Sequence, residues 1–165
     1  MDKQQIRAGR ERLVEALAPV LAAVREADPA DPATGPALAE QFPVDGETMQ
    51  GLKALVRQGI EEGWLAEREA DGVRFSRVAR PDHPATRPAS IDVVNMRGPG
   101  PGHKHPNGEI DLCFAVSGDP QFDGHPEGWV VYGPGSWHVP TVSDGEMDIL
   151  YFLPQGAIDF GPKPV

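Results

Sequence analysis

The sequence has little that would suit a secreted, membrane-bound or nucleic-acid-binding protein. Its one cysteine, Cys113, excludes an intramolecular disulfide and fits a reducing compartment. No stretch approaches eighteen consecutive apolar residues, and Met1–Arg7 has no apolar signal core, so we expect a cytoplasmic protein. Basic residues are few, 15 against 25 acidic, and the net charge of −10 disfavours binding to nucleic acid or anionic membranes.

Glycine and proline, in contrast, are abundant. The 165 residues include 19 Gly and 18 Pro, which favours a turn-rich β domain over a helix bundle. The length suits one domain with an appendage and is sufficient for a genuine hydrophobic core.

The first 80 residues are predicted to form a helical cap with a β-hairpin. Apolar spacing indicates helices over residues 3–27, 36–41 and 47–62, with Gly63 as the stop. Two strands joined by Ala70-Asp71-Gly72 follow. The order resembles a winged helix-turn-helix, but the acidic chain disfavours DNA recognition. We expect a cap that packs on the next domain or forms a dimer contact.

The remainder is predicted to be mainly β. Residues 81–88 form a Pro-rich connector that neither a helix nor a central strand accommodates. Short apolar stretches separated by Gly, Pro and Asp turns then predict a sandwich or barrel over residues 89–165.

Four residues of this second part form a candidate metal site. His103 and His105 lie two residues apart, so on a strand both side chains face the same way. Asn107-Gly108 predicts a type I′ hairpin turn that would bring Glu109 back across from them. His138 follows a Gly/Pro turn further along. Three imidazoles and a carboxylate suit one divalent transition ion (Fe, Mn or Zn), with positions left for water or substrate.

Other side chains are expected to work beside the ion. Strand alternation turns Asp111 to the same side as Glu109, as a hydrogen-bond acceptor for a ligand or a general base, although a plain ion pair is equally compatible. Arg97 precedes the first motif and is a candidate fork for a substrate carboxylate. Tyr132 and Trp137 belong to an aromatic cluster around His138.

The motifs resemble those of the cupin superfamily. His-x-His-x-x-x-Glu followed by a glycine, and then Pro-Gly-x-x-His, are similar to the two cupin metal motifs over roughly residues 89–155. The second motif departs from the pattern, because Pro134 and Gly135 are adjacent and the closing asparagine is absent. The resemblance implies a cupin-type β-barrel (a double-stranded β-helix) behind the cap.

The whole layout resembles a narrower family. A cap with a hairpin, then Gly102–Asp111, then Gly128–Val142, is similar to the 4-hydroxylaminobenzoate lyases. The resemblance implies conversion of 4-hydroxylaminobenzoate to 3,4-dihydroxybenzoate and ammonium, with an ion held by the four metal-site residues. It further implies proton transfer by Asp111 or Glu146, a carboxylate anchor at Arg97, and Tyr132 or Trp137 against the ring.

Three other functions stay open. The same ligands serve an Fe(II) cupin dioxygenase acting on a small aromatic or thiol substrate. A non-catalytic cupin that binds a small ligand, with the cap as a sensor, is the second. A sugar isomerase is the third, and the aromatic residues around His138 make it less attractive. We expect a homodimer, because cupin barrels have open sheet edges.

Overall fold

The computed structural model describes all 165 residues and begins with four helices. They are α1 (Lys3–Ala16), α2 (Ala18–Glu26), α3 (Thr34–Gln41) and α4 (Glu47–Glu62). The single helix expected over residues 3–27 is two helices that meet at Leu17, because Pro19 lies in the first turn of α2, where its missing N–H costs nothing. Helix α4 ends as predicted at Gly63, whose φ of 88° is the left-handed conformation that glycine favours.

Nine strands follow the helices. They are β1 (Arg68–Ala70), β2 (Val73–Ala79), β3 (Ala89–Met96), β4 (His103–His105), β5 (Glu109–Phe122), β6 (Gly128–Tyr132), β7 (Ser136–His138), β8 (Val142–Pro154) and β9 (Asp159–Phe160).

The strands form two sheets. One sheet has six antiparallel strands in the order β1-β2-β3-β8-β5-β6, and the other has the order β7-β4-β9. Strand β2 pairs with β3, as in the opposition of Phe75 and Val94. The hairpin that the sequence analysis assigned to the cap is therefore continuous with the main sheet, across the 81–88 connector.

The six-stranded sheet carries a core on each face. On β5, Ile110, Leu112 and Phe114 pack with the helices, whereas Cys113 belongs to a second apolar cluster on the opposite face. The same alternation holds on β8, where Phe152 faces the helices and Tyr151 faces the second cluster. The helical cap therefore packs on one face of the sheet.

The three-stranded sheet lies over the other face. Tyr132 at the end of β6 stacks on His105 of β4, with ring centroids 5.5 Å apart. Two facing antiparallel sheets are the double-sheet arrangement to which cupins belong, so the mainly β, cupin-type fold behind a helical cap is confirmed.

One local prediction was wrong. Asn107-Gly108 does not close a hairpin, because β4 pairs with β7 and β9 while β5 pairs with β6 and β8. The turn instead carries the chain from the small sheet to the large one. Only Gly108 has a positive φ, 84°, whereas a type I′ turn needs two such residues.

None of the helices is long and apolar enough to cross a membrane.

Candidate metal centre

Strand pairing places three histidines at one point. On β4, His103 and His105 alternate with Lys104, so both imidazoles face the large sheet, where they are buried. His138 on β7 lies directly opposite His103 in the antiparallel register. The Nε2 atoms of His103 and His138 are 3.1 Å apart.

Glu109 completes the group from the other sheet. It is the first residue of β5, immediately after the turn that changes sheets, and it is fully buried. Its Oε2 lies 3.4 Å from the Nε2 of His105 and 3.9 Å from that of His138. One ligand atom from each of the four residues lies within 4.8 Å of all the others, so the predicted set comes together although the predicted hairpin does not.

Burial keeps two of these imidazoles neutral. It lowers the pKa of His103 to about 4, with a further contribution from His138, and lowers the pKa of His105 to about 3. A metal ion binds the neutral imidazole, so at neutral pH neither ring must lose a proton first.

The two neighbouring carboxyl groups shift in the opposite direction. Burial raises the pKa of Glu109 to about 8, and burial together with the nearby Glu109 raises the pKa of Asp111 well above its usual range. Both carboxyl groups, and both ring nitrogens of His105, are buried without a hydrogen-bond partner. Buried polar atoms are seldom left unpaired, and a divalent cation would satisfy one ring nitrogen of His105 and the carboxylate of Glu109 together. The donor set therefore fits such an ion.

Asp123, which the sequence analysis missed, orients the third histidine. It accepts hydrogen bonds from the Nδ1 of His138 at 2.5 Å, from the Tyr132 hydroxyl, and from the backbone N–H of Thr141 at 2.8 Å. Although burial acts in the opposite direction, these hydrogen bonds lower the pKa of Asp123. A carboxylate on the far nitrogen of a ligand imidazole fixes its tautomer and raises its basicity. The only sequence signal was an Asp-Gly turn.

The structure separates the two predicted aromatic residues. Tyr132 lies at the cluster, with its ring centroid 4.3 Å from that of His138. Trp137 does not face the cluster, because on β7 it alternates with His138 and turns to the opposite side of the small sheet. There it covers Gly102 and donates a hydrogen bond to the carbonyl of Gly161 at 3.0 Å.

Glu146 and Arg97 lie elsewhere and pair with each other at 2.7 Å. Glu146 precedes Met147 on β8, so strand alternation turns it to the helical side, where it also contacts Arg57 of α4 and the amide of Asn95. The placement of Glu146 beside the substrate pocket was therefore wrong. Arg97, 75% exposed, contacts that helical-side cluster and not the metal ligands, so its expected role as carboxylate anchor has no support in the geometry.

A cavity of about 520 Å³ adjoins the histidines. His103 and Tyr151 line it together with apolar side chains of the hairpin, β3 and the chain end, such as Phe75, Met96 and Phe160. Cavities of this size and apolar character hold small organic ligands. Of the four metal-site residues, His103 thus borders an apolar chamber large enough for a substituted benzene ring.

Comparison with known proteins gives consistent matches. Residues 15–160 match the family model described as "PnbB: 4-hydroxylaminobenzoate lyase". Two curated proteins named 4-hydroxylaminobenzoate lyase are similar to this chain. The protein from Nocardioides sp. (strain LMS-CY) is 33% identical, over 72% of this chain and 75% of its own length. The protein from Pseudomonas putida is 31% identical, over 74% of this chain and 80% of its own length. Among solved structures, the DMSP lyase DddQ from Ruegeria pomeroyi DSS-3 is 19% identical, covers 92% of this chain and 95% of its own, and has a TM-score of 0.42.

Proposed function

Because the chain belongs to the 4-hydroxylaminobenzoate lyase family, we propose that this enzyme, a lyase, converts 4-hydroxylaminobenzoate to 3,4-dihydroxybenzoate and ammonium in a metal-dependent reaction. One observation carries the metal dependence. Four ligand-type side chains from two sheets converge within 4.8 Å, one of them (His103) lines an apolar cavity, and the buried ligand atoms of His105 and Glu109 have no hydrogen-bond partner in the protein.

The reaction requires no external oxidant. One molecule of 4-hydroxylaminobenzoate and one of water have the same atoms as one of 3,4-dihydroxybenzoate and one of ammonia. The N–O bond breaks. The ring carbon that carried the nitrogen exchanges its C–N bond for a C–O bond, and the ring carbon ortho to it exchanges hydrogen for a hydroxyl group. The nitrogen is reduced while the ring is oxidised, so no electrons leave the substrate.

His103, His105, His138 and Glu109 would hold the ion. Bound there, a divalent transition ion would act as a Lewis acid or lower the pKa of a bound water. Two of the four side chains are already oriented by hydrogen bonds: His103 through its Nδ1, 3.1 Å from the carbonyl of Pro101, and His138 through Asp123. Such fixed ligands need little rearrangement during turnover.

Asp111 is the group to which we assign proton transfer. It lies on the interior face of β5, two residues from Glu109, and is fully buried. Burial and the neighbouring Glu109 raise the pKa of Asp111 well above its usual range, which favours the protonated carboxyl and suits a group that donates a proton when ammonia leaves. Asp111→Asn keeps the shape of the side chain and removes that proton. We therefore expect it to lower turnover while metal content stays unchanged.

Anaerobic turnover is the decisive experiment. Purified protein, with its metal content measured on the same sample, is given 4-hydroxylaminobenzoate without oxygen. Equal amounts of 3,4-dihydroxybenzoate and ammonium would support the proposal, and Glu109→Ala should abolish both turnover and metal binding. Product formation only when oxygen is admitted would point to a dioxygenase. No product from fully metal-loaded protein would refute the proposed reaction.

A further inference from the structure

The cavity beside the metal cluster has a polar edge as well as an apolar wall. Arg68 and Arg77 of the hairpin line it, together with Asp71 and Asp92. An aromatic carboxylate needs both an apolar surface for its ring and a cationic partner for its charge. The arginines at this edge are therefore candidates for binding the substrate carboxylate.

Strand alternation turns Arg77 into the cavity. On β2, Val73 and Phe75 belong to the interior apolar cluster, and Arg77 follows them on the same face. Arg74 faces the opposite side, where its Nη2 lies 3.5 Å from the carbonyl of Ile60 in α4. Arg68 lies opposite Phe75 on β1 and reaches the cavity from the sheet edge.

Asp92 holds Arg77 in place while leaving part of its guanidinium free. The Nε and Nη2 atoms of Arg77 donate to the two carboxylate oxygens of Asp92 at 2.8 and 3.1 Å. A guanidinium has five N–H donors, so the edge formed by Nη1 and the second Nη2 hydrogen stays available for another carboxylate. The Arg77 side chain is 38% exposed and lines the cavity.

Arg68 supplies a positive charge beside this fork. Asp92 neutralises Arg77, so Arg77 contributes directed hydrogen bonds more than net charge. Asp71 lies at the exposed hairpin tip, where water screens its charge. The two arginines match the two aspartates in number, so this wall is formally neutral in a chain with a net charge of −10.

We propose that Arg77, oriented by Asp92 and assisted by Arg68, binds the carboxylate of a para-substituted benzoate whose ring occupies this cavity. Phe75, Met96 and Phe160 contact the ring, and the nitrogen substituent para to the carboxylate points towards the histidines. This inference rests on the proposed function for the identity of the substrate. It replaces Arg97 with a different anchor.

Binding of an unreactive ligand tests the anchor without turnover. The probes are 4-aminobenzoate and its uncharged counterpart 4-aminobenzamide, titrated against the metal-loaded protein. The unaltered protein should prefer the carboxylate. Arg77→Met should weaken 4-aminobenzoate binding by about 10- to 100-fold, the range for a lost charge-assisted hydrogen-bond pair, and leave 4-aminobenzamide within about twofold. Arg68→Met should also weaken the binding of 4-aminobenzoate and not that of 4-aminobenzamide, but by a smaller factor than Arg77→Met.

Matched controls separate recognition from folding. Arg74→Met removes an arginine from the other face of the same strand, and Arg97→Met removes the exposed one; neither should change the preference. Because Arg77→Met leaves Asp92 unpaired, the double variant Arg77→Met/Asp92→Asn serves if the single variant folds poorly. Asp92→Asn alone should weaken 4-aminobenzoate binding less than Arg77→Met, since the fork remains but is no longer fixed.

The outcomes distinguish this inference from the proposed reaction. Unaltered preference for 4-aminobenzoate in Arg77→Met and in the double variant would overturn the anchor and leave the lyase reaction standing. An arginine-dependent preference in a protein that does not turn over 4-hydroxylaminobenzoate would support the anchor and refute the reaction. Failure of the unaltered protein to bind 4-aminobenzoate would overturn the anchor, whatever the turnover assay shows.

Discussion

The raised pKa of Glu109 predicts that metal affinity rises steeply with pH across neutrality. Metal binding requires the carboxylate, whereas burial keeps Glu109 protonated below a pKa of about 8. At pH 6, two units lower, roughly one molecule in 100 has the ionised side chain, so the apparent affinity should be about 100-fold weaker than its plateau above pH 8. The expected slope is about tenfold per pH unit.

His103 and His105 should not contribute to this slope. Their usual pKa would make imidazole protonation weaken binding below about pH 6.5. Burial instead lowers the pKa of His103 to about 4 and that of His105 to about 3, so both compete with the ion only in acid. Near pH 6 the uptake of one ion should therefore release close to one proton from Glu109, and at pH 8 about half a proton.

Competition titration with a chelator of known pH dependence measures the affinity, and weakly buffered indicator solution measures the proton release. Co²⁺ or Zn²⁺ serves as the ion. Glu109→Gln is the matched control: it should bind more weakly at pH 8 and lose the slope between pH 6 and 8, because the amide does not titrate. An affinity that is flat over this range in the unaltered protein would refute the reasoning, since it would mean that Glu109 is already ionised before the ion arrives.

Three other predictions follow from the same structure. Asp123→Asn should weaken metal binding by about 10- to 100-fold by releasing His138, and Tyr132→Phe, which leaves that hydrogen bond, should have a smaller effect; chelator competition compares them. Glu146→Gln should leave turnover within about twofold. It should lower the free energy of unfolding by about 1–3 kcal/mol, because it breaks the buried contacts to Arg57 and Asn95. Reduced turnover in a fully folded variant would mean that Glu146 acts in the reaction. Gly59→Ala should cost about 1–3 kcal/mol in urea unfolding, because a Cβ there would lie 2.5 Å from Leu65 Cδ1, whereas Gly51→Ala in the same helix meets no neighbour and should not destabilise the protein.

The metal ligands could be predicted from sequence because their placement depends on short-range alternation. The prediction for His103 and His105 required only that both lie on one strand. The prediction for Glu109 required only a reversal of the chain, whether or not that reversal closed a hairpin. Asp123 could not be found in this way, because it lies in a turn fifteen residues before His138 and meets it only through tertiary packing. The same limit explains Glu146 and Arg97, which were placed by their sequence distance from the motifs, without knowledge of the face that β8 gives Glu146 or of where Arg97 lies after the end of β3.

Strand alternation also makes the cap part of the site's architecture. On β5, Glu109 and Asp111 face the metal cluster while Ile110 and Leu112 pack against the helices, so one backbone segment serves both. The strand also pairs with β8 through Asp111 opposite Tyr151, a cavity residue. Burying this carboxyl pair costs stability because both groups lose their hydration, and the apolar side chains that the same strand packs under the helices offset part of that cost. The hairpin contributes directly to the cavity, since β2 carries Arg77, which lines it. The first 80 residues thus contribute one wall of the chamber and the support behind another.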